Sequence, residues 1–223
     1  MTSVTRTSIL ALAVSVIALT GAAANVNDSR ISAQPQVAQG PSADTPAADL
    51  RSALDQLLGE HVQLAADATN AALHGRDDEF KAVGSALDSN SQDIANAIGS
   101  IYGKDAGEAF LGLWRSHISM VVDYTVGTAS KDKKMQDKAV GELMQYTKDF
   151  GAFLNSANPN LPQDAVADLV KHHAVTLKAV IDAQAAGDQA RAYTELRTAY
   201  NHMASIAEAL AQGIVKQFPK KFG

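Results

Sequence analysis

The chain has 223 residues, 46% of them hydrophobic and 5% aromatic, and a formal net charge of −5. It contains no cysteine, which excludes disulfides, lipoprotein attachment, and thiolate ligands or nucleophiles. A mildly acidic chain without a Lys/Arg-rich run argues against nucleic-acid binding and against a basic membrane-surface patch.

Residues 1–24 read as a secretory signal peptide. Arg6 supplies the positive n-region, "ILALAVSVIALT" is an apolar stretch too short to span a bilayer, and "AAA" (Ala22–Ala24) fits a cleavage site. Arg6 is the only charge in this segment, so its loss takes the net charge from −5 to −6. The mature chain would then be extracytoplasmic, secreted or periplasmic, without a transmembrane anchor. Residues 25–45 are rich in Ser, Gln, Asn, Pro and Ala, show no apolar period, and read as a flexible linker.

From Pro46 to residue 222 apolar residues recur at three and four, as in Leu50, Leu54, Leu57, Leu58, His61, Leu64, Ala65 and Ala68. Start and stop signals predict six helices. Thr45-Pro46 opens the first, which runs to about His74 and is closed by Gly75. Asp77 or Asp78 opens the second, ending near Tyr102-Gly103. Asp105 with Glu108 forms a capping-box pattern for the third, which runs to about Ala129. Ser130 or Asp132 opens the fourth, ending near Ser156. "NPNLP" breaks the chain, Pro162 starts the fifth, Gly187-Asp188 turns into the sixth, and Pro219 ends it. No segment reads as a strand. The expected fold is all-α, a six-helix bundle of ferritin-like size in about 175 residues, enough for a sizeable core.

His61, His117 and His173 are spaced 56 residues apart. Equal spacing of three histidines is weak by itself, but the flanks agree. Four residues before them stand Leu57, Leu113 and Leu169. Thirty-three residues after them stand Ile94, Phe150 and Ile206, and thirty-seven after stand Ile98, Leu154 and Leu210. Gly75 and Gly187 both lie fourteen residues on, where the middle unit has Lys131. The pattern predicts three degenerate helical hairpins of about 56 residues (46–103, 104–158 and 160–218), which must pack together because one hairpin cannot bury its apolar face.

In such a hairpin, positions 0 and +29 lie at one height, about 20 Å from the turn at 1.5 Å per residue. One cross-section would therefore hold His61, His117 and His173 with Asn90, Tyr146 and His202. Neutral imidazole suits zinc or Cu(II), and three histidines are a metal-binding set. His61, His117, His173 and His202 are the candidate metal ligands, with Met203, Tyr146, Asn90, His172 and Trp114 as accessory candidates. The bland alternatives are a satisfied polar layer or, for Trp114, Tyr124 and Met203, ordinary core packing. His74 lies at a turn and is expected to be exposed. HExxH, the paired Glu-x-x-His of di-iron bundles, GxSxG, the P-loop and CxxCH are absent, so no enzyme is expected.

"LLGEHVQLA", "AIGSIYGKDAGEAFLGLWRSHISMVVDYT" and "AYNHMASIAEALAQGIVKQFP" resemble a group of exported bacterial all-helical proteins often labelled "copper amine oxidase-like". The likeness spans about residues 48–222, and LW-x-x-H with the following D-Y is its most distinctive part. True copper amine oxidases are β-rich and make a quinone from a tyrosine in an Asn-Tyr-Asp/Glu context. This chain has no Asn-Tyr pair, only "AYNH" in reverse order, which argues against oxidase activity. The expected role is metal (copper or zinc) sequestration, delivery or sensing through a histidine cluster. One alternative is haem bound in the same His/Tyr layer. Another is a non-catalytic interaction module of the cell envelope with a protein partner.

Overall fold

A computed structural model describes residues 45–222, in which every regular element is helical. The signal-peptide reading, and the linker reading up to residue 44, lie outside the described residues. Six long helices follow in order: α1 Pro46–Leu73, α2 Asp77–Tyr102, α3 Lys104–Ala129, α4 Lys133–Ala157, α5 Gln163–Ala185 and α6 Gln189–Gln217. No described helix is long and apolar enough to cross a membrane.

Local chemistry explains most of the boundaries. Thr45 caps α1 by accepting from the Ala48 amide, with Pro46 in the first turn where its missing N–H costs nothing. Asp132 caps α4 through the Met135 amide and Asp188 caps α6 through the Arg191 amide, both at 3.0 Å. The expected capping box at Asp105 does not form. Gly103, at φ 97°, lets α3 begin at Lys104, so Asp105 already lies in the first helical turn and no side chain caps the end. Pro219 ends α6 as expected but also opens a further turn, α7 Pro219–Phe222, which buries Phe222 against α6 and α1.

The turns after α1, α3 and α5 share one conformation. Gly75, Lys131 and Gly187 all lie in the left-handed region, at φ 64°, 58° and 71°. In each, the next residue's amide reaches back to a helix carbonyl: Arg76 to Ala71, Asp132 to Gly127 and Asp188 to Ala183. A second bond runs from the left-handed residue itself to Ala72, Thr128 or Gln184. These are the two bonds of a Schellman cap, which satisfies carbonyls that a helix end would leave bare.

Each helix packs on the next, and α6 closes back on α1, so the six form a ring. α1, α3 and α5 also touch one another across the middle. The core draws on Leu54, Leu58 and Val62 of α1, Ile94 of α2, Phe150 of α4, Val180 and Ile181 of α5, and Met203 and Ile214 of α6. Burying one such large aliphatic side chain stabilises by about 1.5–3 kcal/mol. Tyr124 is buried as expected, and its hydroxyl donates to Asp182 on α5 while Lys178 closes on the other carboxylate oxygen.

Candidate metal centre

The helices that touch in the middle are the three that carry the equally spaced histidines. His61 of α1, His117 of α3 and His173 of α5 are 1%, 5% and 6% exposed, so all three sit in the core. One ring nitrogen from each lies within 4.8 Å of the others. His61 Nε2 and His117 Nε2 are 3.4 Å apart. Two nitrogens bound at 2.0–2.1 Å to one tetrahedral ion would stand about 3.3 Å apart. That pair already has ligand spacing, and small rotations would bring in the third ring.

Aromatic side chains hold the imidazoles in place. Trp114, one turn before His117 on α3, lies 4.7 Å from both the His61 and His117 rings. Phe110 stacks behind it at 5.3 Å and Phe150 closes the far side. The Tyr146 ring of α4 is 5.0 Å from His117.

This layer concentrates unpaired polar atoms. Nδ1 of His61 and His173, Trp114 Nε1 and the Tyr146 hydroxyl are all buried without a protein partner, and the His117 ring finds only a loose contact with the Trp114 backbone besides His61. Leaving such a group unpaired costs about 1–3 kcal/mol each. Burial, together with the neighbouring His117 and His173, holds the His61 imidazole well below its ordinary range. His117 is pushed down to about 3 by burial and by His173, and His173 to about 4 by burial and by His202. All three are therefore neutral near pH 7, the form that ligates metals. Burial pushes the Tyr146 phenol well above its usual value, so it stays protonated.

The remaining candidates are placed differently. His202 is half-buried, its Nε2 bonds the Leu169 carbonyl at 2.8 Å, and its ring lies against exposed His172 at 4.2 Å. The structure leaves both outside the group of three. Asn90 donates to the Leu57 carbonyl and to Glu60, turning its amide nitrogen toward α1. The Asn90 and His202 contacts are equivalent, each spanning 33 residues back to a leucine one turn before a core histidine. Met203 is buried in the core at 1% exposure, and His74 is exposed at its turn, with Nδ1 on the Asn70 carbonyl.

A cavity of about 240 Å³, which sequence reasoning missed, reaches the cluster between α1, α2 and α3. His61 and His117 stand at its inner end, and the exposed Val122, Val126 and Asp77 at its mouth. Its signal in the sequence is the small-residue series Ala65, Ala68 and Ala72 on one face of α1, which leaves room where larger side chains would fill it. No protein-family model matches the chain, and it matches no curated protein and no solved structure.

Proposed function

We propose that this chain is an exported, non-catalytic helical protein that binds one copper or zinc ion through His61, His117 and His173. Its role is to sequester, deliver or sense that ion outside the cytoplasm. One observation carries this reading: three buried imidazoles, one from each inner helix, with a ligand nitrogen from each within 4.8 Å of the others. Three histidines and an open position are a known zinc set, and imidazole serves Cu(II) equally well. His202 is held by a backbone carbonyl and is left out of the proposed ligand set.

The test is metal uptake by the purified chain. About one equivalent of Zn²⁺ or Cu²⁺ per chain is expected, with a raised melting temperature, since an ion that binds only the folded state stabilises it. His117→Ala and His173→Ala should each abolish uptake, while His202→Ala should retain it. Unchanged uptake in His117→Ala overturns the shared site. The haem alternative meets a steric obstacle, because the Trp114 indole packs on both the His61 and His117 rings where a macrocycle would insert. A Soret band lost in His117→Ala would decide for haem instead. A melting temperature indifferent to both chelator and metal would leave a register-setting layer.

A further inference from the structure

We propose that the metal's open coordination position takes a small organic monocarboxylate, which enters through the cavity between α1, α2 and α3. This inference rests on the metal reading above and adds the class of its ligand.

Charge is the first argument. The three protein ligands are all imidazoles, and no carboxylate joins the group. A divalent ion held by three neutral ligands keeps two positive charges in the core, and burying such charge uncompensated is costly. An anion at the fourth position offsets half of it. Trp114 Nε1–H and the Tyr146 O–H are donors without acceptors; their rings pack on His117, behind the cavity wall and beside the imidazole layer. Donors of that kind favour an oxyanion over an amine or a neutral base.

Shape is the second. The cavity that ends at His61 and His117 is walled by apolar side chains, among them Ala65, Phe80, Leu87 and Val121. No Lys or Arg lines it, and Asp77 stands at its mouth. An anion would thus find no charge partner there except the metal. A dianion such as phosphate would meet apolar walls and a like charge at the entrance. A monoanion with an apolar body suits the walls and meets less of that repulsion at the entrance. The 240 Å³ volume holds about eight non-hydrogen atoms at about 30 Å³ each, the size of a six-carbon fatty acid.

The experiment uses the full chain loaded with Co²⁺, whose visible absorption reports changes at the ion, titrated with hexanoate, acetate and phosphate. Hexanoate should saturably change the cobalt spectrum and bind at least about tenfold tighter than acetate, because each added buried methylene strengthens binding severalfold. Phosphate should be weaker than either. Ala68→Leu, which fills the cavity away from the ligands, should cut hexanoate affinity about tenfold or more while preserving the cobalt band and acetate binding. A cobalt band that hexanoate does not perturb, or hexanoate no tighter than acetate, overturns this inference and leaves the metal site standing. Equal hexanoate binding by the metal-free chain overturns it as well. No cobalt band at all overturns the metal reading, and the carboxylate inference with it.

Discussion

Acid should unfold the metal-free protein over a range in which most proteins of this size are indifferent. His117 and His173 are held at about 3 and about 4 in the folded chain, against 6.5 when exposed. The folded state therefore stays neutral at these sites while the unfolded state takes up protons below pH 6.5. Stability contributed by neutral burial is complete above that value and is lost progressively as pH falls toward 3–4. At pH 5 the unfolded form of each imidazole gains about 2 kcal/mol, so the two together remove about 4 kcal/mol. His61 acts in the same direction. Against a total of about 5–15 kcal/mol, that is a large share. For a domain of this size the melting temperature should drop by about 8–16 °C between pH 7 and pH 5. The assay is thermal denaturation by circular dichroism in chelator, at both pH values, for the wild type and His117→Leu. The variant should lose about half of the two-histidine pH dependence, whatever its stability at pH 7. A metal-free protein whose melting temperature is flat to within about 2 °C over this range, or an unaltered slope in His117→Leu, would show that these imidazoles are not buried neutral.

Three further predictions concern the scaffold. Lys131→Gly should stabilise by up to about 1 kcal/mol in urea titration, because it relieves a left-handed lysine, whereas Gly187→Ala should cost about 1 kcal/mol; a lower midpoint for Lys131→Gly would contradict the shared turn conformation. Gly151→Ala would drive its Cβ into the Gln163 carbonyl oxygen and force α4 from α5, costing about 1–3 kcal/mol, while Gly141→Ala in the same helix meets open space and should gain about 0.5–1 kcal/mol. Thr69→Val removes the hydroxyl beside Gln184 Oε1 in the core and should destabilise by about 1–3 kcal/mol, read as a shift in urea midpoint without change in slope.

The helices were legible because caps and breakers act within a few residues. Asp132 and Asp188 cap as the sequence suggests, while Asp105 does not, since Gly103 takes the cap position two residues earlier and puts Asp105 inside the first turn. A proline rule correctly stops α6 at Pro219. It cannot see that Phe222 then finds a buried seat, which is a tertiary fact. The candidate site divides the same way. Sequence offset fixes the height of a residue on its helix, and His61, His117 and His173 do share a height. It does not fix which way the chain of contacts turns. Asn90 and His202 sit on helices of the outer ring, where they bond to the Leu57 and Leu169 carbonyls of the adjoining helix, Asn90 also to Glu60. Only Tyr146, with the longer ring, reaches the layer itself.

That arrangement bears on how many protein ligands an ion could have. Three helices meet in the middle, and each presents one histidine at the shared level. The other three pack on their ring neighbours, so a fourth ligand of equal standing would have to pass between two inner helices. His202 is spent on a backbone carbonyl, and Tyr146 is held protonated by burial, a poor state for a ligand. A site built this way closes three coordination positions with protein and leaves the next to whatever the α1–α2–α3 cavity admits. Replacing Leu87, at that cavity's wall, by histidine would supply the missing ligand from the ring. The variant should bind zinc more tightly than wild type and respond less to added carboxylate; a Leu87→His protein with wild-type carboxylate response would mean that the cavity does not open onto the ion.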